Sequence, residues 1–212
     1  MFICDYTQLL HWSCYLATNL VLSEFLAEKI LYRKKNDLYL QTNKKLMKRN
    51  IELKEFLITQ STGIYTFKFQ NKTLTEFDEF MHKFKNSGDE LIIDDFNRII
   101  KAIQKISESG ALARYFRPER KIKDNVVAIP LDIKPRKNHP TLRLYCLRLS
   151  DHLIIIGNGD TKFQKYNNNP LIVQYTEDLA SLEQAIKFYK KTNDIKLNHN
   201  RIVVNNSINI EI

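Results

Sequence analysis

Two apolar runs separated by a three-residue polar turn constrain the fold of this chain most strongly. Residues 141–149 read TLRLYCLRL, and LIIIGNGDTK begins at Leu153, with Ser150, Asp151 and His152 between them. Aliphatic, β-branched and aromatic residues on both sides of a short polar turn favour two antiparallel strands joined as a hairpin. We therefore expect the domain to be organised around this hairpin, with helices packed against it.

The rest of the pattern predicts an α+β domain. Residues 52–58 and 63–70 are expected to form a pair of strands, the second of them with alternating side chains. Two amphipathic helices follow, the first opened by a capping box at Thr73 and the second ended by Gly110. A C-terminal helix is predicted to begin at Thr176. The N-terminal helices are expected to pack on one face of an antiparallel sheet.

Composition divides the chain into three parts. Residues 1–46 include a polar, basic segment without a sharp amphipathic stripe, and we expect them to be an extension outside the functional core. Residues 47–195 carry the strands and helices of the α+β domain. Residues 196–212 contain two asparagine-rich turns and are expected to form a C-terminal strand or tail.

The cysteines and the N-terminus both favour a cytoplasmic protein. Cys4, Cys14 and Cys146 form no CxxC pair and have no histidine at metal-ligand spacing. We therefore expect reduced thiols, no metal site and no cofactor. The apolar N-terminus lacks a basic leader and is interrupted by Asp5 and His11, so neither a signal peptide nor a membrane span is expected.

The formal net charge is +9, and most of it is concentrated around the hairpin. Residues 111–165 contain 12 Lys or Arg against 5 Asp or Glu. A basic field of this size attracts polyanions, either nucleic acid or an acidic protein. The hydrophobic fraction of 43% is ordinary for a globular protein and excludes disordered and fibrous classes.

Arginine and tyrosine are predicted to share one face of the first hairpin strand. The two-residue period places Arg143 and Tyr145 together, with Arg148 at the end of the opposite face. Cations of the preceding turn would extend this surface: Arg114, Arg117, Arg120 and Lys121. Such a concave basic surface suits an RNA backbone, with aromatic rings available to stack on bases.

These residue types also suit RNA cleavage without a metal ion. Attack of a 2′-hydroxyl on the adjacent phosphate needs a group that takes the hydroxyl proton, cations that neutralise the phosphorane, and an acid for the leaving oxygen. Arginine and lysine supply the electrostatics, and tyrosine or lysine the proton transfer. We therefore take Arg143, Tyr145 and Arg148 as candidate catalytic residues.

Structural roles are an alternative for several of these residues. Arg114 and Arg117 could form a solvated turn paired with acidic residues, and Tyr145 could belong to the core. His139 lies in a basic loop before a proline, and His152 lies in the hairpin turn. No arrangement of serine, histidine and carboxylate typical of a catalytic triad is visible.

The segment LRLYCLRLSDHLIIIGNGDTK at residues 142–162, preceded by SESGALARYFRP, resembles the RelE/ParE toxin superfamily, in particular HigB-type toxins. In that family a helical pair precedes an antiparallel sheet, an arginine-bearing strand forms a hairpin with a hydrophobic strand, and a lysine-rich segment follows. The similar region covers residues 64–192. The resemblance implies the toxin of a bacterial type II toxin–antitoxin system, which cleaves mRNA, usually on the ribosome.

The resemblance also implies partners and further site residues. A cognate antitoxin, expected to be a helix-turn-helix protein, would neutralise the toxin, and mRNA and the ribosome would be its targets. Arg143 and Tyr145 fall at the substrate-facing strand positions of the family, and Lys162 and Lys165 match its basic, RNA-binding segment. The chain departs from the family in its greater length and in residues 157–159, GNG, where the family often has histidine.

Two alternative functions are consistent with the same fold and charge. ParE-type relatives share the fold and poison DNA gyrase instead of cutting RNA, so the fold alone does not distinguish them. A non-catalytic module that binds nucleic acid or an acidic protein would carry the same positive charge.

Overall fold

The computed structural model describes residues 49–118, 125–130, 132–134, 136–163, 169–204 and 210–212. These residues belong to one compact unit that spans Arg49–Ile212. The extension expected at residues 1–46 lies outside the described residues. The C-terminal strands pack within the same unit, because their apolar side chains join the core and the last strand pairs with the first.

The described elements alternate between strands and helices. Strands β1 (Asn50–Ile58) and β2 (Gly63–Phe69) lead into helices α1 (Glu76–Phe84) and α2 (Glu90–Ser109). A 3₁₀ turn (Ala113–Tyr115) then precedes β3 (Arg117–Pro118), β4 (Val126–Ile129), β5 (Thr141–Ser150) and β6 (Leu153–Lys162). Helix α3 (Pro170–Lys191) is followed by β7 (Ile195–Asn198), β8 (Arg201–Val204) and β9 (Ile210–Glu211).

The predicted hairpin lies near the centre of a mixed sheet. The strand order is β3-β4-β5-β6-β2-β1-β9, and β7 and β8 form a separate hairpin. Strands β5 and β6 are antiparallel, as predicted, but β2 runs parallel to β6 over residues 63–66 and 153–156. The expectation of an antiparallel sheet is therefore corrected. Two helices and three antiparallel strands separate β2 from β6, and this long connection permits a parallel pairing.

Helices α1 and α2 cover one face of the sheet. Their apolar side chains recur at helical spacing, and Phe77, Phe80, Ile99 and Ile106 are almost fully buried against strand residues such as Leu144. Burial of this apolar surface is the main force that holds the helices on the sheet. The α+β class is confirmed, although the helices are interleaved with strands instead of all preceding the sheet.

Helix α3 covers the opposite face of the sheet. Leu179 and Leu182 of α3 belong to the same buried cluster as Tyr145 and Leu147 of β5, and the β7–β8 hairpin adds Ile202. This placement of the C-terminal helix was not predicted from the sequence. The apolar stripe of α3 predicts that this helix packs, but it does not indicate against which face.

Capping residues define the start of α1 and the end of α2. The N-cap of α1 is Thr75, whose hydroxyl accepts a hydrogen bond from the backbone N–H of Asp78 over 3.1 Å. The predicted capping residue, Thr73, is therefore wrong by two positions. Gly110 ends α2, as predicted, with a φ of 95° that favours glycine.

The N-cap of helix α3 lies seven residues before the predicted one. Asn169 is the N-cap and Pro170 the first helical residue, a position where proline costs no hydrogen bond. The predicted cap, Thr176, lies inside the helix, and its hydroxyl donates to the carbonyl oxygen of Ile172 over 2.9 Å.

Candidate nucleic-acid interface

The two strand residues expected at the centre of the site are buried. Tyr145 has no exposed surface, and Arg143 is 2% exposed. Tyr145 lies in the cluster that contains Leu179 of α3, and Nη2 of Arg143 donates to the carbonyl oxygen of Ile133 over 2.9 Å. The expectation that both residues face an open concave surface is wrong, because α3 and the β4–β5 connection enclose them.

Arg148 joins the β5–β6 turn to the segment after α2. Its Nε donates to the carbonyl oxygen of Ala111 over 2.7 Å, and its guanidinium pairs with Asp151. The guanidinium also lies 6.0 Å from the centre of the Phe116 ring. These contacts give Arg148 a structural role at this end of the sheet, and only part of the side chain faces solvent.

The other predicted cations do not all converge on one surface. Lys162 ends β6, at the opposite end of the hairpin from Arg148. A strand of this length spans roughly 30 Å, so the two residues cannot contact the same phosphate. Arg117 is partly exposed and pairs with Ala128 in the β3–β4 ladder. Three further candidates lie outside the described residues: Arg120, Lys121 and Lys165.

An exposed site of cations and tyrosine lies at the end of the sheet that carries Arg148. Arg114 and Tyr115 belong to the 3₁₀ turn, and Lys105 lies near the C-terminal end of α2. The Arg114 guanidinium lies 5.2 Å, and the Lys105 ammonium 5.5 Å, from the centre of the Tyr115 ring. Both cations are exposed and the ring is partly exposed. These three residues are called the Tyr115 surface below.

The electrostatics of the Tyr115 surface favour negative charge. Nη2 of Arg114 donates a hydrogen bond to the Tyr115 hydroxyl over 3.3 Å. This bond lowers the pKa of Tyr115 below its usual value, with contributions from a Ser109 hydrogen bond and from the positive charges of Arg114 and Lys105. Groups that stabilise a phenolate also stabilise a phosphate oxygen, since both are anionic oxygen atoms.

Hydrogen bonds between turns position the Tyr115 surface. In the β1–β2 turn, the hydroxyl of Thr59 donates to the carbonyl oxygen of Ser107 in α2 over 2.6 Å. In the β5–β6 turn, the carbonyl oxygen of Asp151 accepts the backbone N–H of Ala111 over 2.6 Å. The end of α2 and the 3₁₀ turn are therefore attached to two turns of the sheet, which gives the surface a rigid support.

A second polar cluster lies between α1 and β6. Glu76 is buried, and its carboxylate accepts hydrogen bonds from Lys72 over 2.7 Å and from Asn158 over 3.0 Å. Asp160 pairs with Lys83 over 3.0 Å. Because each of these buried carboxylates has a cationic partner, we assign the cluster to the stability of the α1–β6 contact.

Neither a metal site nor a membrane-spanning helix is found among the described residues. No group of three or more His, Cys, Asp or Glu side chains in those ranges is arranged to hold a metal ion. No helix there combines the length and the apolar character that crossing a bilayer requires. Cys146 is buried, and burial raises the pKa of its thiol, so it is poorly suited to act as a nucleophile.

Sequence reasoning missed Tyr115 and Lys105 as site residues. A signal for Tyr115 was present, because the ring lies between Arg114 and Arg117 in the segment ALARYFRP. Lys105 gave no such signal. It belongs to the exposed side of a predicted helix and approaches Tyr115 only because the chain reverses after Gly110.

Fold and surface together define an α+β protein that presents arginine, lysine and tyrosine beside one end of its sheet, on the 3₁₀ turn and on α2. Comparisons with protein families, with characterised proteins and with solved structures found no match to this chain. The function is therefore inferred from the residues and their geometry.

Proposed function

We propose that this protein is an RNA-cleaving toxin of the RelE/HigB-like kind that acts without a metal ion. The observation that carries the proposal is the Tyr115 surface, where two exposed cations lie 5.2 and 5.5 Å from the centre of a partly exposed aromatic ring. Cations that bind phosphate next to a ring that stacks on bases are the combination used to bind single-stranded RNA.

The order of elements supports the same proposal. The helical pair α1–α2 precedes β4, β5 and β6, and the arginine-bearing β5 forms a hairpin with the apolar β6. The resemblance to RelE/HigB toxins implies this order for residues 64–192. Because unrelated functions share folds, the order is supporting evidence and the surface is the main argument.

In the proposed activity, the Tyr115 surface binds the RNA strand. Arg114 and Lys105 neutralise phosphate oxygens, and the Tyr115 ring stacks on a base. Attack of a 2′-hydroxyl on the adjacent phosphate then cuts the strand. We expect the protein to act on mRNA at the ribosome, in the cytoplasm, and to be neutralised by an antitoxin, as the resemblance implies.

Induction of the protein in bacterial cells, followed by mapping of RNA ends, tests this function. We expect new mRNA ends together with growth arrest, and cleavage of single-stranded RNA by the purified protein in the presence of a chelator. Intact RNA with arrested replication would instead indicate a gyrase poison. Intact RNA with normal growth would contradict a toxin of either kind.

Removing both cations of the Tyr115 surface is expected to weaken RNA binding. Each charged hydrogen bond to phosphate contributes about 1.5–3 kcal/mol, so Arg114→Ala with Lys105→Ala should weaken binding at least about 100-fold. Two lost phosphate contacts also reduce the slope of log K against log salt by about 1.4 for a single strand. Fluorescence anisotropy with labelled RNA at several salt concentrations measures both effects.

The matched control removes two positive charges elsewhere. Lys190 and Lys191 are exposed at the end of α3, and their replacement by alanine changes the net charge by the same amount. An equal loss of affinity in the two double variants would show that RNA binding follows net charge and does not depend on the Tyr115 surface.

RNA affinity is expected to fall as the pH rises through the lowered pKa of Tyr115. Loss of the hydroxyl proton places a phenolate beside Arg114, and this negative charge competes with phosphate for the guanidinium and repels it. Tyr115→Phe cannot ionise, so its affinity should not change over the same range. Anisotropy titrations at neutral and alkaline pH compare the two proteins, and a parallel decrease in both would contradict the prediction.

A non-catalytic RNA-binding module is the second candidate function. The observation that favours it is the burial of Arg143 and Tyr145, the strand residues expected to take part in chemistry. Strong binding to single-stranded RNA without any cleavage, in the purified protein and in induced cells, would select this function.

A further inference from the structure

Two histidines stack on each other at the end of the sheet that carries the Tyr115 surface. The ring centres of His152 and His199 lie 3.9 Å apart, and the ring planes are inclined by 31°. His152 belongs to the β5–β6 turn and is partly exposed, whereas His199 belongs to the β7–β8 turn and is exposed. Two distant parts of the chain thus bring two titratable rings to one solvent-facing site.

A single hydrogen bond determines which nitrogen of His152 can accept a proton. Its Nδ1 lies 2.8 Å from the carbonyl oxygen of Ser61. A carbonyl oxygen only accepts hydrogen bonds, so Nδ1 carries a hydrogen, and the lone pair of the neutral ring lies on Nε2. None of the hydrogen bonds between described residues involves Nε2 of His152 or the ring of His199. The neutral His152 ring can therefore take a proton from a bound ligand.

The other described histidines lack this combination. Both ring nitrogens of His139 are occupied, one by the Asp89 carboxylate and one by the carbonyl oxygen of Pro140, each over 2.8 Å. His82 is exposed on α1, and its neighbour Lys83 pairs with Asp160, near the end of β6 that lies farthest from the β5–β6 turn. Among the histidines of the described ranges, only His152 and His199 form a pair.

Hydrogen bonds connect the pair to the helix that supplies Lys105. Asn200, the residue after His199, donates its side-chain amide to the carbonyl oxygen of Thr59 over 2.6 Å. The hydroxyl of Thr59 donates in turn to the carbonyl oxygen of Ser107, two residues after Lys105. The histidine pair and the Tyr115 surface are therefore held by the same end of α2.

The charged groups next to the pair are themselves paired. On the β5–β6 side, Asp151 precedes His152 and pairs with Arg148. On the β7–β8 side, Arg201 lies 3.6 Å from Glu55 of β1. Two protonated rings at 3.9 Å would repel, whereas one neutral and one protonated ring are compatible.

We propose that His152 and His199 are the acid–base pair of the RNA cleavage, an inference that rests on the proposed function and names its proton-transfer groups. Nε2 of His152 takes the proton of the 2′-hydroxyl while the 2′-oxygen bonds to phosphorus. His199 gives its proton to the 5′-oxygen while the bond between phosphorus and that oxygen breaks. The products are a 2′,3′-cyclic phosphate and a 5′-hydroxyl, and proton exchange with water restores the pair.

Cleavage of a synthetic single-stranded RNA, in the presence of a chelator, tests the pair. The variants are His152→Asn, whose amide keeps the hydrogen bond to Ser61, and His199→Ala, with His82→Ala as the exposed control. We expect each pair variant to cleave about 100-fold more slowly than the unmodified chain. RNA affinity should stay within about twofold in all three, because Arg114 and Lys105, the cations that bind phosphate in the proposed function, are unchanged.

The pH profile of cleavage separates proton transfer from a structural role. The unmodified chain should give a bell-shaped profile, because the base must be neutral and the acid protonated. His152→Asn should lose the acidic limb and His199→Ala the alkaline limb. Undiminished cleavage by both variants would overturn the assignment of the acid–base pair but not the ribonuclease activity. A loss of RNA affinity equal to the loss of cleavage rate would also overturn it and would show that the two histidines bind RNA. An unmodified chain that does not cleave RNA would overturn the proposed function and the pair with it.

Discussion

Replacing Asp95 with alanine is expected to lower the free energy of unfolding by about 3 kcal/mol. Asp95 is buried in α2, and its carboxylate oxygens lie 2.7 and 2.8 Å from the guanidinium nitrogens of Arg136. It also accepts the backbone N–H of Leu142, at the start of β5, over 3.0 Å. Alanine leaves a cation and a backbone donor without their acceptor. Since Arg136 is 26% exposed and can reach water, the lower end of the range for broken buried pairs applies.

Urea denaturation measures this loss. With a slope of about 2 kcal/mol per molar, the midpoint should fall by about 1.5 M. Asp94→Ala is the matched control, because the neighbouring Asp94 is exposed and pairs with Arg98 on the surface, a contact whose loss costs less than about 1 kcal/mol. Adding Arg136→Met to Asp95→Ala should recover part of the stability, since the orphaned cation is then removed. Equal costs for the two aspartates would contradict the role assigned to Asp95.

The strands and helices could be predicted from local patterns because each pattern indicates which side chains are buried. The β-branched and aliphatic runs at 141–149 and after Leu153 became β5 and β6, and the apolar repeat that ends at Gly110 became α2. The first residue of a helix could not be predicted as well as its presence, for a physical reason. Thr73 with Glu76 and Thr75 with Asp78 both have capping-box spacing, and the sequence alone does not decide between them.

The layers of the fold could not be predicted in the same way. A period of two places Arg143 and Tyr145 on one face of β5, but it carries no information about what covers that face. Leu179 and Leu182 form an apolar stripe in α3 that would suit either face of the sheet. Only the tertiary contact decides that α3 lies over Tyr145 and removes this face from solvent.

The candidate site depends on contacts between residues that are distant in the chain. Lys105 reaches Tyr115 across the chain reversal after α2, and His152 meets His199 where two hairpin turns lie side by side. Neither pairing has a local sequence pattern, since each partner reads on its own as an exposed helix or turn residue. Only Arg114 and Tyr115, which are neighbours in the sequence, were accessible to sequence reasoning as a unit.

Replacing Tyr145 with alanine is expected to lower the free energy of unfolding by about 4 kcal/mol, because the large ring is fully buried and its removal leaves a cavity. Tyr145→Phe keeps the ring and loses only the hydroxyl, so it should cost about 1 kcal/mol. Urea denaturation of the two variants measures the difference. A much larger loss in Tyr145→Ala than in Tyr145→Phe would show that the ring belongs to the core under α3.

Cleavage by Tyr145→Phe distinguishes a core tyrosine from a catalytic one. Its RNA cleavage, measured well below the unfolding transition, should stay within about twofold of the unmodified chain, since a small change in stability leaves almost all molecules folded. Tyr189→Phe on α3 is the control for loss of a tyrosine hydroxyl away from the Tyr115 surface. A large loss of cleavage in Tyr145→Phe alone, with stability nearly unchanged, would mean that the hydroxyl takes part in the chemistry. In that case α3 would have to move away from β5 to admit RNA, and the active surface would be the buried face of the hairpin instead of its exposed end.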